Sequence, residues 1–211
     1  MPIGPAVRRF FGPYERDISN IYRRIFIDLD DWLETIRSWA PNAGQVLEVG
    51  CGEGAMTERL RDCFQDAQIT AIDVTSRLGR LFRGEHGRVE FIQTTVEAVA
   101  ARNPSRYDLV ILSDVLHHVR PALRASLLQG IGLALAPGAC FAFKEWVRDG
   151  TVIHWACEAS DRYLTGDDVD YLSETEVEAL LGDHFGVVAN QEQRRIRPWR
   201  NNMAVLIRSG A

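Results

Sequence analysis

The sequence predicts one α/β domain built around a mostly parallel β-sheet. Its 211 residues fit a single domain with its own hydrophobic core. The composition, 46% hydrophobic and 25% charged, is that of an ordinary globular protein. From residue 45 onwards, short apolar runs alternate with stretches of helical periodicity. This alternation is typical of parallel strands joined by crossover helices.

Five short apolar runs predict the first strands of this sheet. They are Gln45–Val49, Gln68–Asp73, Val89–Gln93, Tyr107–Ser113 and Ala139–Trp146. Before them, apolar residues recur at helical spacing between Pro13 and Pro41, which predicts one long amphipathic helix.

Three further helices are predicted from periodicity and end signals. Residues Glu53–Phe64 carry an apolar face, and Pro121 opens a second helix that Pro137-Gly138 ends. Ser173 and Glu176 form a capping-box pattern at the start of the third helix.

The remaining segments complete the predicted organisation as one domain. The runs Gly186–Asn190 and Asn202–Arg208 are expected to pair as a terminal antiparallel hairpin. Between the fifth strand and Ser173 the sequence shows no clear period, so we interpret it as an insertion on the substrate side of the sheet. We divide the chain into a helical cap (1–44), a core (45–146), an insertion (147–172) and a C-terminal helix with hairpin (173–211).

Charge and cysteine content restrict the function classes. A net charge of -5 argues against a broad surface for nucleic acid or anionic membranes. No secretory signal and no run of about 18 apolar residues is present, which predicts a cytoplasmic protein without a membrane span. The four cysteines contain no Cys-x-x-Cys pair, so we expect reduced thiols and no metal site. They are Cys51, Cys63, Cys140 and Cys157.

A glycine loop directly after the first strand is the strongest local signal. Gly50, Gly52 and Gly54 alternate with Cys51 and Glu53 at the start of a predicted helix. Glycines allow positive φ and close approach of a ligand to backbone N–H groups. A dinucleotide fingerprint would place its third glycine one position later, so the spacing disfavours a nicotinamide dehydrogenase.

This loop and the motifs after it resemble those of class I S-adenosylmethionine-dependent methyltransferases. The match includes Asp73 at the end of the second strand and the sequence Asp114-Val115-Leu116-His117-His118-Val119 after the fourth, and it spans about residues 45–146. The resemblance implies a Rossmann-like sheet of seven strands with helices on both faces, an antiparallel last strand and an N-terminal helical lid. It also implies S-adenosylmethionine as cofactor and S-adenosylhomocysteine as product.

The resemblance assigns cofactor contacts to the ends of the first four strands. The expected residues are Glu48, Gly50, Cys51, Gly52, Gly54, Asp73, Val74, Thr95, Val96, Ser113, Asp114 and His118. Asp73 is expected to accept hydrogen bonds from the ribose hydroxyls, with capping of a following helix as the alternative. Glu48 either holds the cofactor or makes a structural hydrogen bond. Thr95 stands where the family usually has an acidic residue.

Catalytic and acceptor-binding candidates follow the fourth and fifth strands. An imidazole titrates near neutral pH, so His117 and His154 are candidate general bases, together with Glu145. A packing role is the alternative for both histidines of the His117-His118 pair, and a solvated strand edge is the alternative for residues 144–146. Candidate acceptor contacts are Tyr14, Lys144, Trp146 and Tyr163, with Asp161 and Arg162 as further insertion residues.

These features predict a methyltransferase that acts on a small molecule, such as a secondary metabolite, by in-line transfer. The sequence lacks the Asn-Pro-Pro-Tyr-like and Pro-Cys motifs of nucleobase methylases, which favours a small acceptor. Two alternatives stay open: a nonmethylating S-adenosylmethionine binder or cyclase, and an RNA methylase. The second would use a basic patch around Trp199, formed by Arg194, Arg195, Arg197 and Arg200, although a solvated hairpin is the competing interpretation. A monomer or a homodimer is expected.

Overall fold

The structure, a computed structural model, describes residues 26–162, 169–186 and 192–210. Within these ranges it contains a seven-stranded sheet and six α-helices. The strands are β1 (Gln45–Val49), β2 (Gln68–Asp73), β3 (Val89–Gln93), β4 (Tyr107–Ser113), β5 (Leu135–Trp146), β6 (Glu192–Arg195) and β7 (Asn202–Arg208). The helices are α1 (Leu29–Trp39), α2 (Ala55–Cys63), α3 (Val96–Arg102), α4 (Pro121–Ala134), α5 (Val152–Ser160) and α6 (Glu174–Phe185).

The sheet has the strand order β3-β2-β1-β4-β5-β7-β6. Strands β1 to β5 run parallel, and β7 is antiparallel to both of its neighbours, β5 and β6. The predicted fold class, a mostly parallel seven-stranded sheet with an antiparallel last strand, is therefore confirmed. The chain order reverses between β1 and β4, and in open α/β sheets ligands bind outside the carboxyl ends of the strands at this point.

Side chains alternate between two apolar cores, one on each face of the sheet. On one face, Val46 and Ile111 pack with Ile36 of α1 and with α2. On the other, Leu47 and Val110 pack with α4 and α6. Central parallel strands are covered on both faces, which explains their nearly continuous apolar sequences.

The helix predicted before the first strand is not one continuous helix. Phe26 is helical, but Ile27 and Asp28 are not, and α1 starts at Leu29. The Asp28 side chain accepts hydrogen bonds from the backbone N–H groups of Asp30 and Asp31, both 3.1 Å, which makes it an N-cap. Residues 1–25, which include Tyr14 and the first part of the predicted lid, lie outside the described residues, and the described part of that lid, α1, packs in the core.

The insertion contains a helix that the periodicity did not predict. Helix α5 starts after Thr151, whose hydroxyl accepts from the N–H of His154. The buried side chains His154, Cys157 and Asp161 lie on one side of this helix and its C-terminal turn. The spacing of three and four residues is helical, but the buried face is partly polar, so a search for apolar periodicity does not detect the helix.

In the C-terminal half of the chain, the structure differs from two predicted elements. Helix α4 ends at Ala134, and β5 starts at Leu135, so Pro137-Gly138 lies inside the strand and does not end the helix. Strand β7 pairs with β6 and β5, and the run Gly186–Asn190 that was predicted as its hairpin partner lies, apart from Gly186, outside the described residues. The predicted capping box at Ser173 and Glu176 is confirmed. In the described part of the chain, no helix has the length and apolar character needed to span a membrane.

Candidate active site

The glycine loop after β1 adopts backbone angles that favour glycine. Gly50, Gly52 and Gly54 have φ values of 78°, 51° and 88°. A Cβ at Gly50 would lie 2.3 Å from Cγ2 of Val115, so glycine is needed there for close packing against the loop after β4. A Cβ at Gly52 would meet nothing within 4 Å. The backbone at Gly52 therefore faces open space that a ligand can enter.

Asp73 joins the glycine loop to the end of β2. Its Oδ2 accepts a hydrogen bond from the Gly52 N–H at 2.8 Å, and its Oδ1 accepts one from the Thr75 N–H at 2.9 Å. No α-helix begins between Asp73 and β3, so the structure does not support the helix-cap alternative. Each carboxylate oxygen retains a second lone pair for another donor. Val74, the next residue, has an exposed side chain beside this carboxylate.

Glu48 lies buried beneath the loop and connects β1 to α2. Its Oε2 accepts a hydrogen bond from the Thr57 hydroxyl at 2.6 Å, a contact that the sequence did not predict. Burial, followed by the nearby charges of Glu48 and Asp73, raises the pKa of the Cys51 thiol. The raised pKa favours the neutral thiol over the nucleophilic thiolate at Cys51.

The loop after β3 leads into α3 through Thr95 and Val96. Thr95 is the N-cap of α3, and its hydroxyl accepts from the Ala98 N–H at 3.4 Å. The Val96 side chain is buried against Gly130, where an added Cβ would lie 3.0 Å from Val96 Cγ1. Contacts of Thr95 and Val96 with the cofactor stay a prediction.

Asp114 and Lys144 pair at the ends of β4 and β5. Both oxygens of Asp114 accept from Lys144 Nζ at 2.6 Å, and Lys144 is only 1% exposed. Asp114 has a φ of 54°, unusual for a residue with a side chain, and its N–H donates to the Lys144 carbonyl. Ser113 Oγ lies 3.5 Å from the same carboxylate. The amine predicted to contact the acceptor thus points to Asp114.

Glu145 and His117 form a buried pair at the same edge. Glu145 Oε1 is hydrogen-bonded to His117 Nδ1, and Oε2 accepts from the Leu116 N–H at 2.9 Å. Burial lowers the pKa of His117, but the charge of Glu145 and its hydrogen bond outweigh burial, and the net pKa is raised. Both side chains are buried, whereas His118 is exposed, with its ring centre 4.1 Å from that of His117.

His154 has a different environment from His117. The indole Nε1–H of Trp146 donates to His154 Nδ1 at 3.2 Å, and an indole nitrogen can only donate. The neutral His154 ring therefore carries its hydrogen on Nε2. Burial lowers the pKa of His154, more than Glu158 and Asp149 raise it. His154, Trp146 and Lys144 are all buried, so the solvated-edge interpretation of residues 144–146 is wrong. Tyr163 lies outside the described residues.

Three of the four arginines around Trp199 are paired with nearby carboxylates. Arg194 contacts Glu192 on the same strand, and Arg195 contacts Glu174 on α6. Arg197 lies 3.4 Å from Asp31 of α1. These pairings reduce the positive potential that an RNA backbone would require.

Comparisons with known proteins agree with this architecture. Residues 47–141 match the methyltransferase domain family. The Vibrio cholerae ubiquinone biosynthesis O-methyltransferase is 37% identical over 124 residues, which are 57% of this chain and 49% of the relative. The Leptothrix cholodnii enzyme of the same name is 35% identical over 99 residues, 44% of this chain and 40% of the relative. The chain thus spans about half, or less, of the length of these curated relatives.

Solved structures share the fold at low sequence identity. The Burkholderia thailandensis 1,6-didemethyltoxoflavin N1-methyltransferase, solved with S-adenosylhomocysteine, has a TM-score of 0.67 and 18% identity, over 97% of this chain and 88% of its own. The Bradyrhizobium japonicum N-methyltransferase NodS, also with S-adenosylhomocysteine, has a TM-score of 0.60 and 19% identity, over 86% of this chain and 87% of its own.

The fold is an α/β domain, and the loops after β1, β2 and β4 form a candidate ligand site where the strand order reverses. Residues 47–141 match a methyltransferase domain family, and solved methyltransferases share the fold of the chain. The predicted resemblance to methyltransferases is confirmed for residues 47–141, and the activity and cofactor of the whole protein belong to the proposal below.

Proposed function

We propose that the protein methylates a hydroxyl group of a small-molecule acceptor by in-line transfer, with His117 as general base. The observation that carries this proposal is the Glu145–His117 pair. It lies at the carboxyl ends of the parallel strands, the same end of the sheet as the glycine loop. A base held by a third group is the usual arrangement for activating a weak nucleophile.

The residues at the switch point suit S-adenosylmethionine. Gly52 leaves open space beside its backbone, and Asp73 offers carboxylate lone pairs to the ribose hydroxyls. The exposed side chain of Val74 provides an apolar surface for the adenine ring. When bound, the cofactor supplies a methyl group on a positively charged sulfur, which is already an activated leaving group.

Glu145 fixes the ring of His117 for proton transfer. A carboxylate only accepts hydrogen bonds, so the ring nitrogen that faces it, Nδ1, carries a hydrogen. In the neutral ring this leaves a lone pair on Nε2, where the acceptor's proton is taken up. Glu145 itself is fully buried and acts through His117. His154 is a weaker candidate because its Nδ1 is already occupied by Trp146.

The remaining candidates have supporting roles in this proposal. Lys144 holds Asp114 in its strained backbone conformation, which shapes the loop after β4. Trp146 holds His154 and so attaches the insertion helix α5 to the end of β5. The names of the curated relatives, both O-methyltransferases of ubiquinone biosynthesis, support a hydroxyl acceptor. We propose in addition that the acceptor is a secondary metabolite and that the protein is cytoplasmic. The division of the chain into cap, core, insertion and C-terminal part is proposed as well.

Calorimetric titration tests the cofactor site first. We expect micromolar binding of S-adenosylmethionine and S-adenosylhomocysteine, none of NAD, and a large loss of affinity in Asp73→Asn. Asp66→Asn, an exposed aspartate in the loop before β2, is the matched control. Transfer of a labelled methyl group to a panel of phenols, catechols, amines and RNA then tests the acceptor. Labelling of RNA alone, or cofactor binding without release of S-adenosylhomocysteine, would refute the proposal.

A further inference from the structure

A tyrosine that the sequence analysis did not single out lies against the proposed base. The ring of Tyr171 stacks on the ring of His117, with centres 4.6 Å apart and planes inclined by 17°. Tyr171 is buried, and its edge contacts the His154 ring at 5.3 Å and 84°. One face of the His117 ring is therefore covered by a flat aromatic surface. Glu145 restrains the same imidazole at its Nδ1 edge.

The backbone beside Tyr171 is fastened to the same loop. The Asp170 N–H donates to the His117 carbonyl at 2.9 Å. Arg124 of α4 donates to the Asp170 carbonyl at 2.8 Å and to the Val119 carbonyl at 3.0 Å. These bonds hold residues 170 and 171 in a fixed position relative to His117.

The hydroxyl of Tyr171 is held in turn by the C-terminal end of the insertion helix. It donates a hydrogen bond to Oδ2 of the buried Asp161, and Cys157 Sγ lies 3.5 Å from the hydroxyl oxygen of Tyr171. Burial, followed by the charge of Asp161, raises the pKa of Tyr171, so the phenol keeps its hydrogen and remains a donor.

We propose that Tyr171 is a positioning residue that holds the His117 imidazole in the orientation in which Nδ1 meets Glu145, and that Asp161 in turn positions Tyr171. This inference rests on the proposed role of His117 as base and extends it to the insertion. Residues 161 and 171 both belong to the insertion, so its fold would set the geometry of a base on the loop after β4. Without the stack, the imidazole could turn away from Glu145.

Several charged or titratable groups surround His117 and must be distinguished in any test. They are Glu145 on β5, Asp114 and His118 on its own loop, Asp161 after α5, Tyr171 with Asp170, Lys144 paired to Asp114, and Arg124 on α4. A change of net charge near the ring would confuse the result. The test therefore uses uncharged replacements of Tyr171 and reads the position of the ring hydrogen directly.

Nitrogen NMR of the ¹⁵N-histidine-labelled full chain bound to S-adenosylhomocysteine makes this test. The chain has five histidines, and a His117→Gln sample assigns the His117 signals by their loss. At a pH where the ring is neutral, we expect the Nδ1–H tautomer in the wild type. Tyr171→Phe keeps the ring but loses the hydrogen bond to Asp161, so we expect a partial loss of this tautomer, smaller than in Tyr171→Leu. In Tyr171→Leu we expect averaging of both tautomers and a fall of methyl transfer by about 10-fold or more, within the contribution of a general base.

Two further variants complete the design. Glu145→Gln should give the opposite tautomer, which shows that the signal reports this contact. Tyr107→Leu removes another buried tyrosine ring, on β4, and should leave His117 unchanged. An Nδ1–H tautomer that survives in folded Tyr171→Leu overturns the positioning role. Because the NMR measurement needs no acceptor, failure of the positioning role is distinguishable from failure of the proposed methyl transfer.

Discussion

Replacement of Glu145 by glutamine is the most informative perturbation of the proposed base. Glutamine has the same shape, and its carbonyl can still accept from the Leu116 N–H, 2.9 Å away in the wild type. Its amide group, however, would donate to His117 Nδ1, which must then act as the acceptor. The ring hydrogen moves to Nε2, and the lone pair needed for the acceptor's proton is lost.

The size of the effect follows from the chemistry of the base. A positioned general base contributes about 10²–10⁴-fold, so we expect kcat of Glu145→Gln to fall within this range. The fall should leave the affinity for S-adenosylmethionine unchanged, since Glu145 is fully buried and its carboxylate bonds to Leu116 and His117. Initial rates of labelled methyl transfer, with calorimetry of cofactor binding on the same samples, measure both quantities.

The pH profile of the same variant gives a second, independent result. The raised pKa of His117 predicts that kcat/KM of the wild type increases with pH through a midpoint above 6.5. Without the Glu145 charge, burial is less opposed, and any residual midpoint should move to lower pH. Glu158→Gln, beside His154, is the matched control and should preserve the wild-type profile. Wild-type rate and midpoint in Glu145→Gln would refute the role of the pair.

Three further predictions concern the loops and the pair itself. Gly50→Ala should lower the free energy of unfolding by about 2–5 kcal/mol, because its Cβ would clash with Val115 and its φ is positive. Gly52→Ala should lower it by only about 1–2 kcal/mol but should impair cofactor binding, and denaturant titrations compare the two variants. Lys144→Met should destabilise the fold by about 1–3 kcal/mol, because it leaves the partly buried Asp114 unpaired, and equal melting of both proteins would contradict this. The pKa of His117 is raised in the folded protein, so its protonated ring stabilises the fold fully below pH 6.5, and this stabilisation is lost as pH rises through the folded pKa. The difference in stability between wild type and His117→Gln should therefore shrink from pH 6 to 9 in thermal scans.

The sequence was sufficient for the central part of the fold. Strand β1, its glycine loop and the helix after it were predicted because local signals agree there: an apolar run, alternating glycines and a helical period. Asp73 was placed correctly for the same reason, since it ends a clear strand. The class of protein followed from these motifs.

The contacts of the proposed base were beyond sequence reasoning. Glu145 and His117 are 28 positions apart, and they meet only because β4 and β5 are neighbours, with Ser113 opposite Lys144. The same holds for Tyr171, which reaches His117 through the irregular insertion. Tertiary packing decides which of these polar residues meet, and the periodicity of the sequence does not predict such contacts. The N-cap at Asp28, by contrast, could have been recognised from the acidic residues that follow it.

The contact between Gly50 and Val115 bears on the order in which ligands bind. Val115 packs directly on the cofactor loop and stands two positions before His117 in the chain. A shift of the glycine loop on cofactor binding would displace the Val115 side chain and with it the loop that carries His117. We therefore expect compulsory-order kinetics, in which the acceptor binds productively only after the cofactor, and product-inhibition patterns would reveal this.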